Sequence, residues 1–345
     1  MTYISMTFLS LLRRGVILTT LAALTLVYVS GIVVAQTTMK LSSATINDVQ
    51  HEWQKVFAAE MAKSVGDAVN IEIYPASQLG AIPRMTEGVL LGTIEAFTTP
   101  SSFVNGVDPR FQAFDVPGLF QSPKEVAAVI HDPDFRDHLE TLYLDKGIRV
   151  IGAIYNSPIL MLTREPVTKL DGVEGLKIRT FSSPLQMEPM KAVGAIPTPL
   201  ALSEVVPQLQ SGGIDGMLAG MPILTAFKFY NTAKHVTDLN FSHLVSMTLV
   251  NESWFQSQNA EVQEAIRSAG RLAEVKVFDW GVSNVERANG LWLENGGKIH
   301  RFKSSEQSQM MKLFESVGSS QISDKPAVFA EYERILSVLK SHRGM

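Results

Sequence analysis

One arginine lies within a short apolar stretch at residues 175–181, GLKIRTF. Ile178 and Phe181 predict a short buried strand, and Arg179 stands between them. A buried guanidinium is costly unless an anion pairs with it. Its planar donor geometry suits a carboxylate better than an ammonium group does. We therefore expect Arg179 to meet either an internal carboxylate such as Glu204 or the carboxylate of a ligand.

The chain carries no recognised catalytic motif. It lacks a nucleophile elbow, a P-loop, a dinucleotide-binding glycine pattern after a strand, and a zinc-protease helix. The seven histidines are scattered and there is no cysteine, so we expect neither a metal nor a cofactor. An enzyme acting on a carboxylate would need a general base beside Arg179. Glu204 and Asp215 are the candidates, which leaves an enzyme as an alternative function.

Length and charge narrow the class of protein. The 345 residues are 46% hydrophobic, which is enough for a sizeable core and about two domains. The 30 basic and 34 acidic residues give a net charge of −4. That balance provides no basic surface for nucleic acid, so we expect no nucleic-acid partner.

The first 35 residues have the character of a secretory signal peptide. Arg13 and Arg14 precede an apolar run at residues 15–34, and small residues end at Ala35. We predict export to the periplasm with cleavage near Ala35. The run is long for a signal peptide, so a retained membrane anchor is the alternative, and with it a sensor or adaptor role. The absence of cysteine is compatible with export.

Strands alternate with helices along the rest of the chain, which predicts an α/β protein with largely parallel sheets. A helical pattern runs from 259 to 296 and would span about 50 Å. We predict that this helix connects two lobes, although Gly270, Gly281 and Gly290 offer places for a break. The main predicted strands are residues 37–45, 69–74, 93–97, 148–155, 176–180 and 213–220.

Ligands of α/β proteins bind beyond the carboxyl ends of the strands. Arg179 lies at the end of its predicted strand. Thr45, Thr99, Tyr155 and Asn156 follow or end other predicted strands. We therefore expect these side chains to face the same cleft, where hydroxyl and amide groups would donate hydrogen bonds.

Six stretches, in this order and at this spacing, give the sequence its resemblance to a known family. The stretches are IEIYPASQLG, MTEGVLLGTIEAF, FDVPGLF, LDGVEGLKIRT, VGAIPTPLALSEVVPQLQSGGIDGMLAG and LVNESWFQSQNAEVQEAIRSAG. With them the sequence resembles the periplasmic solute-binding subunits of tripartite ATP-independent periplasmic (TRAP) transporters, the DctP family, over essentially all of the chain after residue 35.

The resemblance implies a two-lobed periplasmic-binding-protein fold, type II-like, with interwoven lobes and a long bridging helix. We assign residues 36–156 plus 245–284 to lobe I and residues 157–244 plus 285–345 to lobe II. In this family the cleft closes on an organic acid, which is then delivered to a sodium-driven membrane permease. The arginine of GLKIR pairs with the ligand carboxylate, so the resemblance assigns that role to Arg179. Monomers and homodimers both fit the family.

Several positions depart from the family pattern. Ala219 stands where many members have an asparagine that helps to hold the carboxylate. Sialic-acid binders have a second arginine where this chain has Ile159, and an aromatic residue where it has Leu202. Leu218 replaces a glutamate that takes part in metal binding in some members.

These departures predict a cleft with an apolar character. The ligand expected from them is a monocarboxylate with an apolar portion, and a small hydroxy or keto acid is the nearest rival. The residues expected to face the body of the ligand are Ile159, Phe181, Leu202, Met217 and Ala219.

Overall fold

Residues 37–344 are described by a computed structural model, and they form two mixed β-sheets with helices on both faces. The predicted signal peptide, residues 1–35, lies outside the described residues. The strands are β1 (Thr37–Ser43), β2 (Val69–Tyr74), β3 (Ala96–Pro100), β4 (Ile148–Pro158), β5 (Leu160–Thr163), β6 (Lys177–Thr180), β7 (Ile196–Pro199), β8 (Gly216–Ala219), β9 (His235–Asp238), β10 (His243–Asn251) and β11 (Lys298–Arg301).

The helices alternate with the strands, as the sequence predicts for an α/β fold. The helices are α1 (Val49–Val65), α2 (Ile82–Leu91), α3 (Pro123–Ile130), α4 (Pro133–Thr141), α5 (Pro184–Ala192), α6 (Leu202–Ser211), α7 (Met221–Ala226), α8 (Glu252–Ser257), α9 (Ala260–Glu294), α10 (Ser304–Ser323) and α11 (Pro326–Arg343). None of the helices described is both long and apolar enough to cross a membrane.

The first sheet has the strand order β2-β1-β3-β10-β4, and the second has the order β11-β9-β5-β8-β6-β7. The expectation of largely parallel sheets needs one correction in each. β10 runs antiparallel to β3 and β4, and β5 runs antiparallel to β8 and β9. Both strands come directly from the other sheet. A strand that arrives from the carboxyl ends of its new neighbours must run against them.

The chain crosses between the sheets at two adjacent places. β4 ends at Pro158 and β5 begins at Leu160, while β9 ends at Asp238 and β10 begins at His243. The backbone N–H of Ile159 donates to the carbonyl of Ser242 over 3.0 Å, which ties the two crossings together. The predicted lobe boundaries at 156/157 and 244/245 each fall two residues inside a continuous strand, and the division itself stays a prediction.

Helix α9 is continuous and connects the cores of both sheets, as predicted. Ala265 and Ala273 pack in the core of the first sheet, and Ala288 and Trp292 pack in the core of the second. Glycine does not break the helix. At Gly270 a Cβ atom would lie only 2.0 Å from the carbonyl oxygen of Ile151, so this glycine allows close packing of α9 on β4.

The strand predicted at residues 93–97 begins three residues later. Gly92 ends α2 in the left-handed conformation with φ of 72°. The backbone N–H groups of Thr93 and Ile94 both donate to the carbonyl of Gly88, so they complete the helix end. The strand β3 therefore begins at Ala96.

Local helix signals were otherwise accurate. Ser122 and Glu125 have capping-box spacing in the sequence, and the hydroxyl of Ser122 accepts a hydrogen bond from the backbone N–H of Glu125 over 3.3 Å. Pro133 begins a separate helix, α4, because proline is favoured at the first helical position. The strand predicted at 69–74 is confirmed as β2.

Candidate functional site

A cavity of about 40 Å³ lies where strand ends of both sheets converge. Thr45 follows the end of β1, Phe103 follows β3, Phe181 follows β6, and Gly220 follows β8. Most of the wall is apolar. The lining residues are Ala44, Thr45, Gln50, Ile82, Pro100, Phe103, Asn156, Arg179, Phe181, Leu202, Ala219, Gly220, Ile223 and Leu244.

Arg179 is the only charged residue in this lining, and its side chain is held by backbone oxygens. Nε donates to the carbonyl of Leu200 and Nη1 donates to the carbonyl of Leu218, each over 3.0 Å. The rings of Phe103 and Phe181 lie beside the guanidinium, with centroids 5.5 and 4.9 Å from Cζ. These contacts hold the planar group in one orientation.

Arg179 is 2% exposed, yet no carboxylate in residues 37–344 forms an ion pair with it. Burial lowers the pKa of Arg179 to about 10, so the group is still charged at neutral pH. The internal partner considered from the sequence, Glu204, is exposed and accepts a hydrogen bond from the backbone N–H of Ala201 at the start of α6. The alternative of an ion pair with Glu204 is therefore wrong.

Six of the residues predicted from the sequence line the cavity: Thr45, Asn156, Arg179, Phe181, Leu202 and Ala219. The convergence follows from the topology, because each belongs to a strand end or to the start of a helix that follows one.

The other four predicted residues are not in the lining. Thr99 is buried within β3 and its hydroxyl has no hydrogen-bond partner in the described chain. Ile159 packs in the core of the second sheet at the crossing, and Met217 packs in the core on the α6 side of that sheet. The ring of Tyr155 lies against His243 and Phe278.

Their positions have a common physical reason. Adjacent residues of a strand point to opposite faces, so the order of residues near a strand end does not by itself say which side chain turns into the cleft.

Sequence reasoning missed Gln50, which is 1% exposed and lines the cavity at the start of α1. A signal was present. Gln50, Gln54, Phe57 and Met61 follow one another at helical spacing and all are buried. Polar residues on the buried face of an amphipathic helix require partners, so they are candidates for a site.

The enzyme alternative has no support from the lining. Asp215 lies outside it and accepts hydrogen bonds from Arg164 and from the backbone N–H of Lys177. Glu204 also lies outside it. Across residues 37–344, no group of three or more histidine and acidic side chains is arranged to hold a metal ion.

Comparison with known proteins extends these observations. Residues 42–324 match the DctP family model, described as bacterial extracellular solute-binding protein, family 7. A solute-binding protein of Verminephrobacter eiseniae is 30% identical over 239 residues, which are 69% of this chain and 71% of that protein.

Two solved structures share the fold. One is a TRAP periplasmic solute-binding protein from Shewanella oneidensis with bound succinate, at TM-score 0.81 and 22% identity, covering 89% of this chain and all of that one. The other is a TRAP periplasmic solute-binding protein from Haemophilus influenzae with bound L-gulonate, at TM-score 0.82 and 20% identity, covering 88% and 99%.

Proposed function

The chain belongs to family 7 of the bacterial extracellular solute-binding proteins, the DctP family, and on that basis we propose that it captures an organic acid for a TRAP transporter. The acid is bound in the cavity around Arg179 and delivered to a sodium-driven membrane permease. Export by the predicted signal peptide, residues 1–35, places the protein in the periplasm. The relatives support an acid as ligand, since one binds succinate and another binds L-gulonate.

The observation that carries this proposal is the position of Arg179. Its guanidinium is buried beside a cavity, and within residues 37–344 its hydrogen-bond partners are carbonyl oxygens and its ring neighbours are aromatic. A charge in such surroundings favours an anion of matching geometry, and a carboxylate satisfies both its charge and its remaining donors.

The lining favours one carboxylate on an apolar body. It offers a single cation, and Ile82, Phe103, Leu202, Ile223 and Leu244 supply apolar surface around it. Burial of the solute's apolar surface adds about 25 cal/mol per Å². A second ionised group would find no counter-charge in this wall.

Binding proceeds by closure of the two lobes around the solute. Thr45, Gln50 and Asn156 belong to the proposed lobe I, and Arg179 and Leu202 belong to the proposed lobe II. A cavity of about 40 Å³ holds only a few water molecules, so entry of a solute requires the walls to separate. A carboxylate bridging the lobes then stabilises the closed state.

The test is a thermal-shift screen of residues 36–345 against organic acids and their amides. An acid that binds only the folded protein raises its melting temperature, and the matching amide does not. Arg179→Ala should lose at least about 30-fold in affinity, because a buried charge pair loses one partner. Arg179→Lys should keep only part of the affinity that Arg179→Ala loses, because an ammonium group lacks the planar pair of donors.

A matched control is Arg84→Ala, since Arg84 is an exposed arginine whose side chain is 74% accessible. It should bind acids as the wild type does. Equal binding by Arg179→Ala and wild type would refute the carboxylate clamp.

A further inference from the structure

The side-chain amide of Gln50 has hydrogen-bond partners for its nitrogen but none for its oxygen in the described residues. Its Nε2 donates to the hydroxyl of Thr45 and to Oδ2 of Asp48, each over 3.1 Å. Its Oε1 is buried, and no donor in residues 37–344 reaches it. Gln50 is one of the residues that line the cavity containing Arg179.

The neighbours of Gln50 determine which way its amide faces. Oδ1 of Asp48 accepts a hydrogen bond from the backbone N–H of His51, and Oδ2 of the ionised carboxylate has no hydrogen to donate to an amide oxygen. A flipped amide would place Oε1 against that carboxylate. The donors of Gln50 therefore face Asp48, and its oxygen is left for another partner.

Gln54 shows what the same residue type does when its partners are internal. It lies one turn further along α1 and is also buried. Its Nε2 donates to the carbonyl of Ser42 and to the hydroxyl of Thr98, and its Oε1 accepts from Ser43. A buried amide oxygen without a donor is the exception in proteins, and at a cavity wall it indicates a group that arrives with the ligand.

Resting on the function proposed above, we propose that Gln50 Oε1 accepts a hydrogen bond from a hydroxyl group of the bound acid. The solute of this chain is then a hydroxy monocarboxylate. A keto acid would place an oxygen acceptor against Oε1, and an acid without a substituent would leave Oε1 unpaired. Oε1 of Gln50 therefore disfavours both the keto acid and the unsubstituted acid.

An ammonium group is the other donor that an amide oxygen accepts. No aspartate or glutamate lies in the lining, so an ammonium would bring an uncompensated positive charge beside that of Arg179. Asn156 also has a buried oxygen without a partner, and no described residue orients its amide. Asn156 can turn either group to the ligand, and so it does not separate hydroxy from keto acids.

The experiment is calorimetric titration of residues 36–345 with sets of acids that share a carbon skeleton. The probes are lactate, pyruvate and propionate; 2-hydroxy-3-methylbutanoate with its 2-oxo and unsubstituted forms; and 3-hydroxybutanoate, acetoacetate and butanoate. In the set that binds best, the hydroxy acid should bind about tenfold or more tightly than both analogues.

Two variants test the atom. Gln50→Leu should lose about tenfold in affinity for the hydroxy acid and should bind the unsubstituted acid no less tightly than the wild type does, so the preference for the hydroxy acid should disappear. Gln54→Leu should lower the melting temperature, because it removes satisfied internal hydrogen bonds, and should keep the preference for the hydroxy acid.

The outcomes separate the two proposals. If the wild type binds the oxo or unsubstituted acid as tightly as the hydroxy acid, or if Gln50→Leu keeps the preference, the hydroxyl inference is wrong while acid binding stands. If the wild type binds none of the acids and none from the wider screen, the proposed function fails and the inference fails with it. The comparison of the hydroxy, oxo and unsubstituted acids on the wild-type protein tests the hydroxyl inference even if Gln50→Leu does not fold.

Discussion

Gln186 donates a hydrogen bond from Nε2 to the hydroxyl oxygen of Ser102 over 3.1 Å. Ser102 lies in the short 3-10 helix Ser101–Phe103 that follows β3, and Gln186 lies in α5, which follows β6. Both side chains are fully buried. Under the proposed lobe division this contact joins lobe I to lobe II, and we expect opening of the cleft to break it.

We predict that Gln186→Leu weakens solute binding. Removal of one buried hydrogen bond destabilises the closed state by about 1 kcal/mol, which lowers affinity about fivefold. Calorimetric titration with the best acid from the screen measures the change. The control is Lys191→Ala on the same helix, whose exposed pair with Glu188 contributes little. Unchanged affinity in Gln186→Leu would show that this contact does not stabilise closure.

A second prediction concerns Asp115, which accepts a hydrogen bond from Ser102 over 2.6 Å and lies within 3.4 Å of Gln186 Nε2. Burial raises the pKa of Asp115 to about 6, against about 3.9 in an unfolded chain. As pH rises from about 4 to 6, the unfolded chain releases its proton first. This group therefore contributes stability that is lost as pH rises, on the order of 3 kcal/mol in all.

Asp115→Asn removes the titration and keeps an oxygen that accepts from Ser102. The free energy of unfolding of the variant should therefore increase relative to that of the wild type as the pH is raised from 4.5 to 7. Urea unfolding at several pH values measures it. A difference between variant and wild type that does not change with pH would contradict the raised pKa.

A third prediction uses two glycines of α9 as a matched pair. Gly270→Ala places a Cβ 2.0 Å from the carbonyl oxygen of Ile151, and the backbone of β4 would have to shift to relieve this clash. It should destabilise the fold by about 2 kcal/mol or more. Gly290→Ala meets no atom within 4 Å and should stabilise by roughly 0.5–1 kcal/mol through helix propensity. Chemical unfolding of both variants tests this, and equal effects would contradict it.

A fourth prediction concerns the buried ion pair between Arg136 of α4 and Glu274 of α9, with Nε 3.0 Å from Oε1. Oε1 of Glu274 also accepts from the backbone N–H of Ala153 over 2.7 Å. Glu274→Gln keeps an acceptor for Ala153 but leaves the charge of Arg136 buried and unpaired. We expect a loss of about 3–5 kcal/mol in the free energy of unfolding.

The double variant Arg136→Met with Glu274→Gln removes both charges. It should be more stable than Glu274→Gln alone, since no unpaired ion is left. Losses that simply add in the double variant would mean that the pair is not coupled.

The local pattern of the sequence was sufficient for most elements. Alternating apolar residues along 69–74 predict β2, apolar residues at helical spacing predict α1, and the capping-box spacing of Ser122 and Glu125 predicts the start of α3. These signals depend on residues close in the chain, so they survive without tertiary information. The start of β3 was misplaced because Thr93 and Ile94 bond back to Gly88, a contact that no propensity records.

Arg179 was found by sequence because its residue type conflicts with its neighbours. A charge within an apolar strand has to be explained by a partner, and that argument holds before any coordinates exist. The family resemblance, confirmed by the match to residues 42–324, gave that partner a chemical class.

Which other side chains reach the cavity was decided only in three dimensions. Thr45 faces it and Thr99 does not, although both belong to strand ends facing the cleft. Gln50 has a free oxygen because Thr45 and Asp48 occupy its donors, whereas Gln54 on the same helix face is satisfied by Ser43 and Thr98. Sequence determines which residues need partners. The partners come from segments far apart in the chain, and only packing decides which needs are met inside the protein and which are left for a ligand.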